Sequence, residues 1–99
     1  MTTKEQFKEE IKKAIESTPN RNTIASVSLF GSFLHGDNHQ DSDIDLLVDF
    51  RRPVGFFTLI GIQESLGKRL GRKVDLRTPG DLSRFIRSKV VKEAEKIYG

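Results

Sequence analysis

The sequence contains no cysteine and no apolar run long enough to cross a bilayer. Without cysteine, neither a disulfide framework nor thiolate chemistry is open to this 99-residue chain. The first five residues form no apolar signal-peptide core. No block of like charge dominates, although 17 Lys and Arg against 14 Asp and Glu give a net charge of +3. We therefore expect a cytoplasmic protein without membrane contact and with a mildly basic, solvated surface.

The composition that is present is typical of one small globular domain. Hydrophobic residues make up 35% of the chain and charged residues 31%. A chain of 99 residues can bury a modest core and has no room for a second domain. We expect a single domain over residues 1–99.

Hydrophobic periodicity and turn signals divide the chain into alternating helices and strands. Helices are predicted over 3–17, 32–35 and 56–70, and strands over 24–30, 43–50 and 73–77. A closing helix is predicted after Asp81, which would cap it, and would extend through Ile97. Thr3 and Gln6 match a capping box for the first helix. Strands separated by helices indicate an α/β fold, a small sheet with helices packed on it.

A glycine turn followed by two aspartates is the most informative stretch. The first strand runs into Gly31-Ser32, where a residue without Cβ lets backbone N–H groups approach a ligand such as phosphate. Ten residues later, Asp43 and Asp45 share one face of the second strand, because side chains alternate along a strand. Paired carboxylates beside a phosphate site suit Mg²⁺. The alternative for Asp43 and Asp45 alone is a solvated, Asp-rich turn.

This pattern resembles a known family. Gly31-Ser32, ten residues, then Asp43-Ile44-Asp45 is similar to the GS-x10-D-x-D signature of the minimal nucleotidyltransferases, in the DNA polymerase β-like nucleotidyltransferase superfamily. The resemblance covers nearly the whole chain and is strongest over 29–50. It implies a mixed sheet, and it gives Asp75, on the third strand, as the third acidic residue of the family.

The resemblance implies a Mg²⁺-dependent nucleotidyltransferase. Asp43, Asp45 and Asp75 would be the catalytic residues and would bind two Mg²⁺ ions, and Gly31 and Ser32 would hold the phosphates of an NTP, with ATP as the expected substrate. Minimal members are often encoded beside a HEPN-domain RNase toxin and act as its antitoxin by attaching AMP to a tyrosine. The resemblance therefore implies a HEPN toxin as partner and a protein hydroxyl as acceptor.

One departure from the family pattern, and the mild positive charge of the chain, keep other functions open. Many relatives carry Arg where this chain has His35, and a histidine, with a pKa near 6.5, is a weaker partner for phosphate at neutral pH. The chain could therefore be a non-catalytic binding module that neutralises its partner by complex formation. A nucleic-acid-binding domain is the third reading, which we do not expect because no basic platform rich in aromatic residues is present.

Overall fold

The computed structural model describes residues 3–36 and 42–99. In these residues four α-helices alternate with four strands. The helices are α1 (Lys4–Glu16), α2 (Ser32–His35), α3 (Phe56–Leu70) and α4 (Arg84–Glu93), and the strands are β1 (Ile24–Phe30), β2 (Ile44–Phe50), β3 (Val74–Arg77) and β4 (Glu95–Tyr98). The sequence also predicts a loop over residues 36–40, of which all but Gly36 lies outside the described residues.

The strands form one mixed sheet in the order β3-β2-β1-β4. Strand β1 pairs antiparallel with both β2 and β4, whereas β2 and β3 are parallel. Helix α3 makes the crossover that a parallel pair requires. The expected α/β class and the mixed sheet are therefore confirmed.

The core lies between the sheet and the two long helices α1 and α3. Helix α1 contributes Ile11 and Ile15 and helix α3 contributes Ile62 and Leu66, all four at 0–1% exposure. The strands supply the other side of this core: Ile24, Val27, Leu29, Ile44, Leu46, Val48, Val74 and Leu76. Burial of this apolar area is the main free energy that holds the helices on the sheet.

The first helix begins where its capping box predicts. The Gln6 N–H donates to Thr3 Oγ1 at 3.1 Å, and the Thr3 N–H donates to Gln6 Oε1 at 2.8 Å. This reciprocal pair satisfies two amide groups that have no partner within the helix. The predicted capping box is confirmed.

Helix α3 packs on the core through its middle and its end but leaves its first residue, Phe56, outside the core. The Phe56 side chain is 69% exposed, whereas Ile62 is buried. Gln63, from the same helix, accepts a hydrogen bond from the Leu76 N–H at 2.9 Å and so ties α3 to β3. Phe57 is exposed as well, so the apolar side chains that begin α3 lie outside the core, and an apolar pattern alone does not show where the core ends.

The predicted closing helix is wrong in both its cap and its end. Ser83, not Asp81, caps α4, since the Phe85 N–H donates to Ser83 Oγ at 3.3 Å. The helix stops at Glu93, and Ile97 belongs to β4, which pairs with β1. Residues 95–98 form a strand because the edge of β1 offers hydrogen-bond partners to their backbone. The short sequence of these residues does not by itself distinguish helix from strand.

Membrane insertion was not expected from the sequence. Within the two described ranges, no helix has both the length and the apolar character that a membrane span requires.

Candidate active site

Asp45 and Asp75 lie directly opposite each other on the parallel strands β2 and β3. Their Cα atoms are register partners, and the Ile44 N–H donates to the Lys73 carbonyl at 2.9 Å just before them. Ile44 is fully buried, so the alternating side chains of Asp45 and of Asp43 point away from the core. The fold therefore brings the three predicted aspartates to one region of the open sheet face.

The carboxylates of this face repel one another. Partial burial raises the pKa of Asp45 above its ordinary value, and the negative charges of Asp75 and then Asp43 raise it further. The guanidinium of Arg77 acts in the opposite direction. Asp45 is thus a carboxyl group whose ionised form is stabilised by an added cation.

Two basic residues on β3 and just before it face the aspartates. Arg77 Nε lies 3.1 Å from Asp75 Oδ1, within hydrogen-bond distance. Lys73 Nζ lies 3.9 Å from Asp43 Oδ2, and the Lys73 side chain is 80% exposed. The Arg77 pair is therefore the tighter contact, and the Lys73 pair is a weak surface contact.

Gly31 forms the turn that follows β1 and touches Asp45. Its φ angle is +76°, in the left-handed region, and its carbonyl accepts from the Leu34 N–H at 3.1 Å. A Cβ at this position would lie 2.9 Å from Asp45 Cγ, closer than real Cβ contacts. Both the turn and the approach to the carboxylate require glycine here.

The side chains of Ser32 and His35 fall outside the described part of the structure. Their backbone forms α2, a single helical turn that starts directly after Gly31. The predicted contact of the Ser32 hydroxyl with phosphate, and the consequence of histidine at position 35, remain predictions.

The oxygen donors present suit Mg²⁺, but they do not form a finished metal cage. Three carboxylates on adjacent strands are the ligand type that this hard cation prefers. Yet in residues 3–36 and 42–99 no three acidic or histidine side chains converge closely enough to hold an ion. Arg77 holds one oxygen of Asp75, so this carboxylate would have to exchange partners to join Asp43 and Asp45 at an ion.

Sequence reasoning assigned no role in the site to Lys73 or Arg77. Both residues flank Asp75 on the third strand, where they are plausible ion-pair partners of its carboxylate. The signal that could have selected them is the strict alternation of 73–77, which puts both residues on the face of Asp75. Which of the two makes the close contact depends on the fold, since they are symmetric about Asp75 in sequence.

Comparison with known proteins gives the class of the chain. It belongs to the family of nucleotidyltransferase domains, whose family model matches residues 6–97. The chain is thus a nucleotidyltransferase, as its resemblance to that superfamily implied.

Two of the proteins similar to this chain are named as protein adenylyltransferases. The protein adenylyltransferase MntA of Thermococcus cleftensis is 34% identical over 70 residues, 71% of each chain. A candidate protein adenylyltransferase of Methanocaldococcus jannaschii is 32% identical over 82 residues, 83% of this chain and 84% of the relative. The resemblance to minimal nucleotidyltransferases is confirmed by this similarity.

Solved structures of minimal nucleotidyltransferases share the fold of this chain. A structure described as a minimal nucleotidyltransferase superimposes with a TM-score of 0.75 at 30% identity and covers 92% of both chains. A chain from the complex of a tri-AMPylated HEPN toxin with its MNT antitoxin, from Shewanella oneidensis, has a TM-score of 0.70 over 98% of this chain and 73% of that chain. At 20% identity the second likeness shows the fold alone.

Proposed function

We propose that this chain is a Mg²⁺-dependent protein adenylyltransferase that transfers AMP from ATP to a tyrosine hydroxyl of a HEPN RNase toxin, and so acts as its antitoxin. The observation that carries this proposal is the cross-strand pair of Asp45 and Asp75. Asp43 lies two residues before Asp45, and the Gly31 turn is in contact with the Asp45 carboxylate. Carboxylates beside a glycine turn are what a metal-bound triphosphate needs.

Asp43, Asp45 and Asp75 would hold the Mg²⁺ ions, two in our proposal. When bound, the ions would supply charge stabilisation for the attacking and leaving oxygens of an in-line displacement at phosphorus. The mutual repulsion that raises the pKa of Asp45 supports this assignment, because a cation relieves it. Asp75 would also accept the proton of the acceptor hydroxyl.

Gly31 would let the β and γ phosphates approach the backbone beside Asp45, and the Ser32 hydroxyl would donate to them. In the reaction the acceptor oxygen bonds to the α-phosphorus of ATP, the bond from that phosphorus to the oxygen bridging to the β-phosphate breaks, and pyrophosphate leaves. The acceptor proton passes to Asp75 and then to solvent. The product is an AMP ester of the acceptor.

The choice of ATP and of a HEPN toxin is supported by the similar proteins. Relatives are named protein adenylyltransferases, and a chain of the same fold comes from a complex with an AMPylated HEPN toxin. The cytoplasmic location stays a prediction from the sequence.

A second candidate is a binding module that neutralises its partner by contact alone. The bond from Arg77 to Asp75, and the lack of convergence of the described acidic side chains, favour it. In that case the chain would bind the toxin but transfer nothing.

Intact mass spectrometry of a HEPN-domain toxin, the partner in our proposal, separates the two. The partner is incubated with ATP, Mg²⁺ and the native chain, with an Asp43→Ala/Asp45→Ala double variant, or with an Asp49→Ala control on the exposed side of β2. We expect mass gains in whole AMP units with the native chain and the control only. A stable complex without any mass gain would reject the enzyme in favour of the binding module.

A further inference from the structure

Arg77 closes strand β3 and is joined directly to a proposed metal ligand. It lies two residues after Asp75 on the same face, and its Nε donates to Asp75 Oδ1 at 3.1 Å. The side chains of Arg77 and Asp75 are 46% and 33% exposed, so both can move without breaking the core. This contact involves the very carboxylate that the proposed reaction requires.

The Arg77 guanidinium also interacts electrostatically with two further carboxylates. The bond to Asp75 raises the pKa of Arg77 most, and the negative charges of Asp81 and Asp45 raise it as well. Arg77 is therefore a fixed positive charge among three carboxylates, of which Asp75 and Asp45 are proposed metal ligands. A divalent cation entering the same place would repel it.

We propose that Arg77 is an exchangeable counter-ion of Asp75: a divalent cation displaces it from the carboxylate, and the freed guanidinium then pairs with the triphosphate bound with that cation. This inference rests on the proposed function. A guanidinium suits both positions, since its planar fork matches carboxylate and phosphate alike and keeps its charge at all physiological pH values. The proposal predicts effects of opposite sign on binding of the metal and of the nucleotide.

Lys73 provides a matched control. It also lies two residues from Asp75, on the other side, and it also faces an aspartate. However, Lys73 Nζ lies 3.9 Å from Asp43 Oδ2 and the Lys73 side chain is 80% exposed. We therefore expect that removing the charge of Lys73 leaves the affinity for the cation unchanged.

The experiment measures binding of Mn²⁺, as a probe, by electron paramagnetic resonance of the free ion. It compares the native chain with Arg77→Met, Lys73→Met and Asp45→Asn, each checked for folding by circular dichroism. We expect Arg77→Met to bind Mn²⁺ roughly tenfold more tightly. One opposite charge next to a carboxylate lowers its proton affinity by about tenfold to a thousandfold, and we take the lower end of this range for the metal. Lys73→Met should match the native chain, and Asp45→Asn should lose the site.

A second measurement titrates a non-hydrolysable ATP analogue by calorimetry at saturating Mn²⁺. Arg77→Met should bind it several-fold more weakly, because the phosphates lose a cation. Only the pair of opposite effects supports the proposal. Equal affinities of Arg77→Met and the native chain in either measurement would overturn it. The proposed function would still stand in that case if the native chain binds Mn²⁺ and Asp45→Asn does not. If neither the native chain nor Arg77→Met binds Mn²⁺, this inference and the metal-dependent function are both rejected.

Discussion

Gly31 and Asp45 are in contact so close that a Cβ on the glycine would lie 2.9 Å from the Asp45 carboxyl carbon. The glycine turn after β1 and the carboxylate on β2 are therefore parts of one arrangement. Any side chain at position 31 must displace Asp45 or distort the turn, whose φ angle of +76° already disfavours other residues.

We expect Gly31→Ala to abolish AMP transfer and to lower the free energy of unfolding by about 1–2 kcal/mol from the backbone conformation alone. Urea denaturation and the mass assay measure the two effects. Gly61→Ala is the control, since Gly61 is helical with open space around its Cβ position. That variant should keep activity and gain up to about 1 kcal/mol of stability. Full activity in Gly31→Ala would contradict the role of the glycine.

Replacing Asp45 by Asn should stabilise the chain at neutral pH in the absence of divalent cations. The pKa of Asp45 is raised in the folded state, so the folded state binds more protons, and stability falls as pH rises from the ordinary value of 3.8 through the raised one. The asparagine variant has no such loss. Urea denaturation at pH 7 and near pH 3 should show the difference at pH 7 only.

The matched variant for this comparison is Asp49→Asn, which removes an exposed carboxylate from the same strand. Its stability should equal that of the native chain at both pH values. A stabilisation of the same size in Asp49→Asn would mean that net charge, and not repulsion within the site, is the cause.

Glu95 joins β4 to α1 through two lysines. Lys4 Nζ lies 2.7 Å from Oε2 and Lys8 Nζ lies 3.0 Å from Oε1, and both bonds lower the pKa of Glu95. We expect Glu95→Gln to cost about 0.5–1 kcal/mol at pH 7, since the pairs are partly exposed. A lowered pKa in the folded state means that this stability is present above the ordinary value of 4.5 and is lost as pH falls through the lowered one.

Thermal or urea denaturation of Glu95→Gln over pH 2–7 checks the sign. The difference from the native chain should shrink in about 1 M NaCl, which screens charges beyond roughly 3 Å. A cost that is the same at every pH and salt concentration would indicate packing instead of charge.

Leu46 directly follows Asp45 on β2, and its side chain points to the opposite face, into the core. It is fully buried, and Leu46→Ala should cost about 2–5 kcal/mol through lost contacts and a residual cavity. The control is Val91→Ala on α4, where the side chain is 50% exposed and the cost should stay within about 0.5 kcal/mol. Equal costs for the two variants in urea denaturation would show that α4 is part of the core.

Local signals predicted most elements of the fold. The helix over 4–16, its capping box and the strand over 24–30 follow from periodicity and from a polar residue that satisfies a helix end. The fourth strand did not follow, because residues 95–98 become a strand only where the edge of β1 lies beside them. A pairing between residues so distant in sequence leaves no local trace.

The sequence by itself determined the chemistry available to this protein. Gly31, Asp43 and Asp45 could be selected because the spacing of turn and strand dictates which side chains share a face. Asp75 could be selected only through the resemblance to the minimal nucleotidyltransferases. Only the tertiary structure decided that Asp45 and Asp75 are register partners, that Gly31 touches Asp45, and that Arg77 rather than Lys73 holds Asp75. Those relationships depend on strand register and on distances between elements, which are fixed when the core packs and not by any residue's neighbours in sequence.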